Sequence, residues 1–125
     1  MHRVAVIDYG MGNLRSVSKA LEAVASEHEV IVTADAKAIS NASHIVFPGV
    51  GAIRDCMSTL QQTGLDDIVR TAAASKPFLG ICLGMQALMS HSEENSGTEG
   101  LGIIPGNVRH FDQAAAQGLK SRTWA

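Results

Sequence analysis

One stretch constrains the fold more than any other. Phe78-Leu79-Gly80-Ile81-Cys82-Leu83-Gly84-Met85-Gln86 is an apolar run that ends at a cysteine with a glycine two residues to either side, followed by helix-forming residues. A strand that turns into a helix about a single residue leaves no room for side chains at the flanks. G-x-Nuc-x-G is therefore the grammar of a nucleophile elbow, here with sulfur where serine oxygen is usual. The turn lifts Cys82 above the end of a sheet, and the helix behind it aims unpaired N–H groups at the sulfur, which favours the thiolate. Free cysteine is also among the most buried residue types, and glycine also punctuates ordinary strand ends. The succession of strand, glycine, cysteine, glycine and helix favours the nucleophile.

The rest of the chain supplies a frame for that elbow. Arg3 to Asp8 reads as a short buried strand, and Leu14, Val17, Leu21 and Val24 then recur at helical spacing. His28 to Thr33 is a second strand, Asp35 to Ala42 a short helix capped by Thr33 or Asp35, and Ser43 to Phe47 a third strand. Helical patterns run from Ala52 to Gln62 and from Leu65 to Ala74, with Gly64 as the stop between them. Lys76-Pro77 introduces a fourth strand running into Cys82, and Leu83 to His91 is the helix behind it. Ser92 to Gly100 reads as a loop and Asn107 to Phe111 as a strand. Strands that are continuously apolar and alternate with helices call for a parallel sheet covered on both faces, the doubly wound α/β class. Ligands then bind at the carboxyl ends of the strands, where Gly10 to Asn13, Gly49 to Gly51 and the Cys82 elbow all fall.

Composition excludes several classes. The 125 residues make at most one domain, with 46% hydrophobic and 18% charged residues and a net charge of −2. Scattered basic residues leave no electrostatic footprint for nucleic acid. No apolar run approaches a membrane span, and Asp8 interrupts the N-terminal Val4-Ala5-Val6-Ile7. Two cysteines outside metal-ligand spacing predict neither a disulfide framework nor a metal centre, and no cofactor is expected. A reduced thiol suits the cytoplasm.

Pro48-Gly49-Val50-Gly51 is a turn by composition, yet glycines after a strand also let bare N–H groups approach an oxyanion. Beside a cysteine elbow the second reading is favoured, with the N–H of Leu83 as the partner donor. Gly10-Met11-Gly12-Asn13 lacks the third glycine of a dinucleotide loop and the Lys-Ser/Thr of a nucleotide loop, which argues against nucleotide binding; its other reading is a close-approach surface loop for a partner. Cys56, Met85 and Met89 read as packing, and His2, His28, His44, His91 and His110 as surface or cap residues. Gln86 lies one helical turn beyond Cys82 on the same face, where its amide can reach a substrate.

Together, Val6-Ile7-Asp8-Tyr9-Gly10-Met11-Gly12-Asn13-Leu14, Val46 to Ala52 and Pro77 to Gln86 resemble the glutaminase subunits of imidazole glycerol phosphate synthase, within the triad (class I) glutamine amidotransferases. The resemblance runs from about Arg3 to His110. It implies that Cys82 attacks the side-chain amide of glutamine, and that Leu83 with Val50 or Gly51 forms the oxyanion hole. Gln86 and Glu94 would hold the α-amino and carboxylate end of the substrate. Ammonia would pass to a (β/α)8 cyclase subunit of a heterodimer, which makes imidazole glycerol phosphate in histidine biosynthesis, with Asn13 at the subunit junction.

The resemblance also implies a later His-x-Glu motif that supplies the general base, and the 125 residues do not contain it. The chain by itself is therefore expected to be inactive or nearly so. Residues 121–125 depart from the family continuation Val-Pro-His-Met-Gly-Trp. With suitable synonymous codons, a single nucleotide inserted after the Lys120 codon restores it, so the expectation is a frameshifted or truncated frame and an incomplete single domain over residues 1–125. A short parallel sheet with an unpaired edge and bare apolar faces is expected to be poorly soluble. Two other readings stand beside the leading one. The chain could belong to another triad glutaminase, making anthranilate, GMP or carbamoyl phosphate, against which the Asp8–Asn13 loop argues. It could instead be a non-catalytic α/β module in which Cys82 senses redox state.

Overall fold

The computed structural model describes residues 2–10, 14–94 and 97–109. The elements run β1 (Arg3–Ile7), α1 (Leu14–Val24), β2 (Glu29–Thr33), α2 (Ala36–Asn41), β3 (His44–Phe47), α3 (Ile53–Thr63), α4 (Leu65–Ser75), β4 (Phe78–Gly80), α5 (Leu83–Ala87), β5 (Met89–Ser92), β6 (Thr98–Glu99) and β7 (Ile104–Val108). The first four strands form one parallel sheet in the order β2-β1-β3-β4.

The continuous apolar runs have the cause the sequence suggests. Strand side chains alternate between faces, and here both faces are covered. Ala5, Ile7, Ile45 and Phe47 enter the larger core with Ile39, Ile53, Leu60, Val69 and Leu83. Val4, Val6 and Val46 face the other way, onto Leu14, Val17 and Leu21 of α1. Val24, at the end of the α1 stripe, is instead 83% exposed. Asp35 proves to be the cap of α2, its side chain accepting from the Lys37 N–H. At the other end of α2, the Lys76 ammonium donates to the carbonyls of Ile39, Ser40 and Ala42. Gly64 ends α3 and begins α4 at a φ of 76°.

Beyond the elbow the fold departs from expectation. The helix after Cys82 ends at Ala87 rather than His91, and Met89–Ser92 is a strand. The predicted loop contains β6, and the last described strand is Ile104–Val108 rather than Asn107 onward. These strands make a second sheet, β6-β5-β7, with β5 antiparallel to β6 and parallel to β7. The returning chain explains the early stop. Leu101 N–H donates to Ala87 C=O at 2.7 Å, and Ile103 and Ile104 both donate to Leu88 C=O at 2.9 Å. Those carbonyls gain partners without another helical turn. Met89 therefore lies in a strand, and Met85 is 52% exposed rather than in the core.

Strand β4 is also shorter than the apolar run implies, ending at Gly80 on the sheet edge. Leu79 shares a face with Val46 but lies beyond the cover of α1, and is 54% exposed. Among the described residues no helix is long and apolar enough to cross a membrane.

Candidate active site

Cys82 occupies the junction between β4 and α5 with φ 54° and ψ −117°, the one positive φ at a non-glycine among the described residues. Such a conformation stores roughly 1–3 kcal/mol and persists only where the surroundings impose it. They do so here through backbone bonds. Ile81 N–H donates to Phe47 C=O at 3.0 Å, Gly84 N–H to Ile81 C=O at 2.9 Å, and Gln86 N–H to Cys82 C=O at 3.1 Å. The flanking glycines are steric requirements. A Cβ at position 84 would collide with the Phe47 carbonyl oxygen, and one at position 80 would lie 2.9 Å from Met85 Cα. The result is a free, exposed thiol at the carboxyl edge of the parallel sheet.

The helix behind it differs from the expected one. It has five residues, and its first N–H groups do not all await a ligand: Leu83 donates to Gly49 C=O at 3.3 Å and Gly84 to Ile81. The strap Pro48-Gly49-Val50-Gly51 does pass beside the elbow. Pro48 and Gly49 are buried, whereas Gly51 is exposed and Val50 is 53% exposed. In this geometry the Gly49 carbonyl occupies the Leu83 donor.

Behind the strap lies a contact that sequence reasoning missed. The Tyr9 hydroxyl donates to Pro48 C=O at 2.7 Å, and the Cys56 thiol donates to the Tyr9 oxygen at 3.6 Å, all buried. Burial pushes both groups upward, the Cys56 thiol to about 11, with the Tyr9 bond pulling it partly back. The Tyr9 phenol is raised by burial first and by Cys56 second, so it remains a donor at any working pH. Cys56 is core, as its helical pattern suggests, but no local signal links it to a tyrosine so distant in sequence.

Gln86 is half-buried behind the elbow, and its Oε1 is a buried acceptor with no partner among the described residues. Buried polar atoms are ordinarily paired, so this acceptor stands out among the described residues. The Glu94 carboxylate accepts from the Ile53 N–H at 3.2 Å, the first residue of α3 just past the strap. This bond satisfies a helix N-terminus and also brings a negative group to the same rim. Asn13 and His110 lie outside the described residues.

The described histidines are elsewhere. His2, His28 and His44 cluster at the opposite, amino-terminal edge of the sheet, with ring centroids 5.3 Å and 5.1 Å apart about His2. His91 Nδ1 pairs with Glu99 at 3.2 Å. Among the described residues, no three His, Cys, Asp or Glu side chains are grouped to hold a metal.

A parallel α/β sheet whose edge strand passes through a strained cysteine into a helix defines the elbow-type α/β proteins. In overall shape the chain is similar to a protein described as a peptidase E from Listeria monocytogenes, with a TM-score of 0.63 over 82% of this chain and 63% of the other. At 16% identity this likeness concerns the fold alone. The model of the class-I glutamine amidotransferases matches residues 5–123, and the chain belongs to that enzyme family. It is similar to the imidazole glycerol phosphate synthase subunit HisH of Pseudomonas putida, 59% identical over 111 residues, covering 89% of this chain and 52% of the relative. The subunit of the same name from Nitrosococcus oceani is 60% identical over 116 residues, covering 93% and 56%. The chain thus spans about half the length of the curated relatives it matches.

Proposed function

We propose that the chain carries the nucleophile and substrate grip of a glutaminase that serves imidazole glycerol phosphate synthesis in the cytoplasm. The observation that carries this reading is the exposed Cys82 thiol on a strained elbow, with the unpartnered Gln86 Oε1 behind it. The names of the relatives favour this synthase over the other triad glutaminases.

The Cys82 thiolate attacks the side-chain amide carbon of glutamine, and the carbonyl oxygen becomes an oxyanion. Leu83 N–H can receive it only when Gly49 C=O withdraws. In a trans peptide the carbonyl and the N–H point in opposite directions. A half-turn of the Gly49–Val50 peptide therefore removes an acceptor from the site and brings in the Val50 N–H as a second donor. Gly51 supplies the alternative donor on the same strap. Gln86 Oε1 and the Glu94 carboxylate suit the α-ammonium group of the substrate. Collapse of the tetrahedral adduct releases ammonia and leaves a thioester, which water cleaves to glutamate. Ammonia is handed to a (β/α)8 cyclase subunit docked near Asn13.

Protonating the departing ammonia needs an acid; His2, His28 and His44 sit at the far edge of the sheet, and His110 lies outside the described residues. The test is a chimera that appends the remaining length of the Pseudomonas putida relative, assayed for ammonia release with its cyclase. Turnover that disappears in Cys82→Ala supports the reading. Turnover that survives Cys82→Ala, or none by a folded chimera, contradicts it.

A further inference from the structure

We propose that Tyr9, backed by Cys56, is a positioning residue that pins the Pro48 end of the strap so that only the Gly49–Val50 peptide swings beside Cys82. The proposal rests on the glutaminase reading and names the fixed point of the motion that reading requires.

The two consecutive strap carbonyls are held very differently. Pro48 C=O receives a buried phenol at 2.7 Å, and the Cys56 thiol donating to that phenol leaves its own proton directed at Pro48. Gly49 C=O has a backbone N–H at 3.3 Å and leads directly into the exposed Val50. Proline adds a fixed φ on the anchored side. The Tyr9 hydroxyl also takes the space that a Cβ on Gly49 would need, so the strap cannot slide toward the core. The Tyr9 ring packs against the Phe47 ring at a centroid distance of 5.2 Å, and Phe47 C=O is the acceptor that seats Ile81 at the elbow. One side chain thus sets the strap relative to the nucleophile. Without the hydroxyl, Pro48 C=O is left buried and unpaired, and the strap loses its fixed end.

Two electrophiles separate positioning from simple packing. Iodoacetamide reads the exposure of the Cys82 thiol. A diazo-ketone analogue of glutamine also requires its carbonyl to be held against the strap donors. In the 125-residue chain, Tyr9→Phe is expected to slow the diazo-ketone by about tenfold while leaving iodoacetamide within about twofold, the scale of one lost hydrogen bond in a transition state. Equal rates for both reagents in wild type and variant, or an equal fall with both, would overturn the proposal. If Tyr9→Phe does not fold, the Cys56 pair decides. Cys56→Ala should slow the diazo-ketone selectively and Cys56→Ser, which keeps a donor to the phenol, should restore it; identical behaviour of the two overturns the proposal. If the unaltered chain reacts no faster with the glutamine analogue than with a diazo-ketone lacking the amino-acid head, the glutaminase reading itself fails, and this proposal with it.

Discussion

Gly84 is packed so tightly under Phe47 that a methyl group at position 84 would fall on the Phe47 carbonyl oxygen, the same atom that accepts the Ile81 N–H at 3.0 Å. Strand β3 and the elbow are therefore joined backbone to backbone, and neither can yield without breaking that bond. Gly84→Ala is expected to destabilise the chain by about 3 kcal/mol or more, the range for overpacking against rigid atoms. Denaturant midpoints measure it, and a loss below about 0.5 kcal/mol, ordinary for a surface site, would contradict the packing described.

The strain at Cys82 gives a change of opposite sign. Glycine adopts φ 54° freely, so Cys82→Gly is expected to raise stability by about 1 kcal/mol while removing the exposed thiol. Function and stability are then opposed at one residue. A thermal melt checks it; a glycine variant less stable than Cys82→Ala would show that the backbone there is relaxed.

Alkali should act through the buried pair behind the strap. Cys56 and Tyr9 are neutral when protonated, and in the folded chain both hold their protons to higher pH than normal. The folded pKa of Cys56 is raised from 9.0 to about 11, so stability is flat below about 9 and falls as pH rises toward 11, where the unfolded chain has already released its proton. The fall attributable to Cys56 is at most about 2–3 kcal/mol. Unfolding measured across that window should show it, with a smaller slope in Cys56→Ala; an unchanged slope in the variant would remove Cys56 as the cause.

Glu94 holds the first N–H of α3 and faces the same rim as the strap. Glu94→Ala is expected to lower stability by about 1 kcal/mol, the scale of a lost helix cap. Glu94→Gln keeps an acceptor for Ile53 and should melt near wild type, yet lose protection by glutamine against alkylation of Cys82. If both variants protect normally, the carboxylate serves the helix alone.

Much of this was legible in the sequence, for physical reasons that differ by element. The parallel sheet showed because Val4 to Ile7 and Ile45 to Phe47 are apolar on both faces, and the elbow because only glycine fits at 80 and 84. The second sheet did not show. Met89 to Ser92 has helix-compatible residues, and its strand state depends on pairing with Ile104 to Val108, a tertiary contact without local signal. The Tyr9–Pro48–Cys56 contact was hidden for the same reason. That the Leu83 N–H meets the Gly49 carbonyl depends on one peptide orientation, which no side-chain pattern encodes.

Under the proposed function Cys82, and not the buried Cys56, meets a glutamine-shaped electrophile on the exposed elbow. Intact-protein and peptide mass spectrometry after treatment with a diazo-ketone glutamine analogue, with and without excess glutamine, tests it most directly. The expected result is a single adduct on Cys82 that glutamine suppresses, with Cys56 unmodified in its buried position. An adduct on Cys56, or labelling of Cys82 indifferent to glutamine, would contradict it.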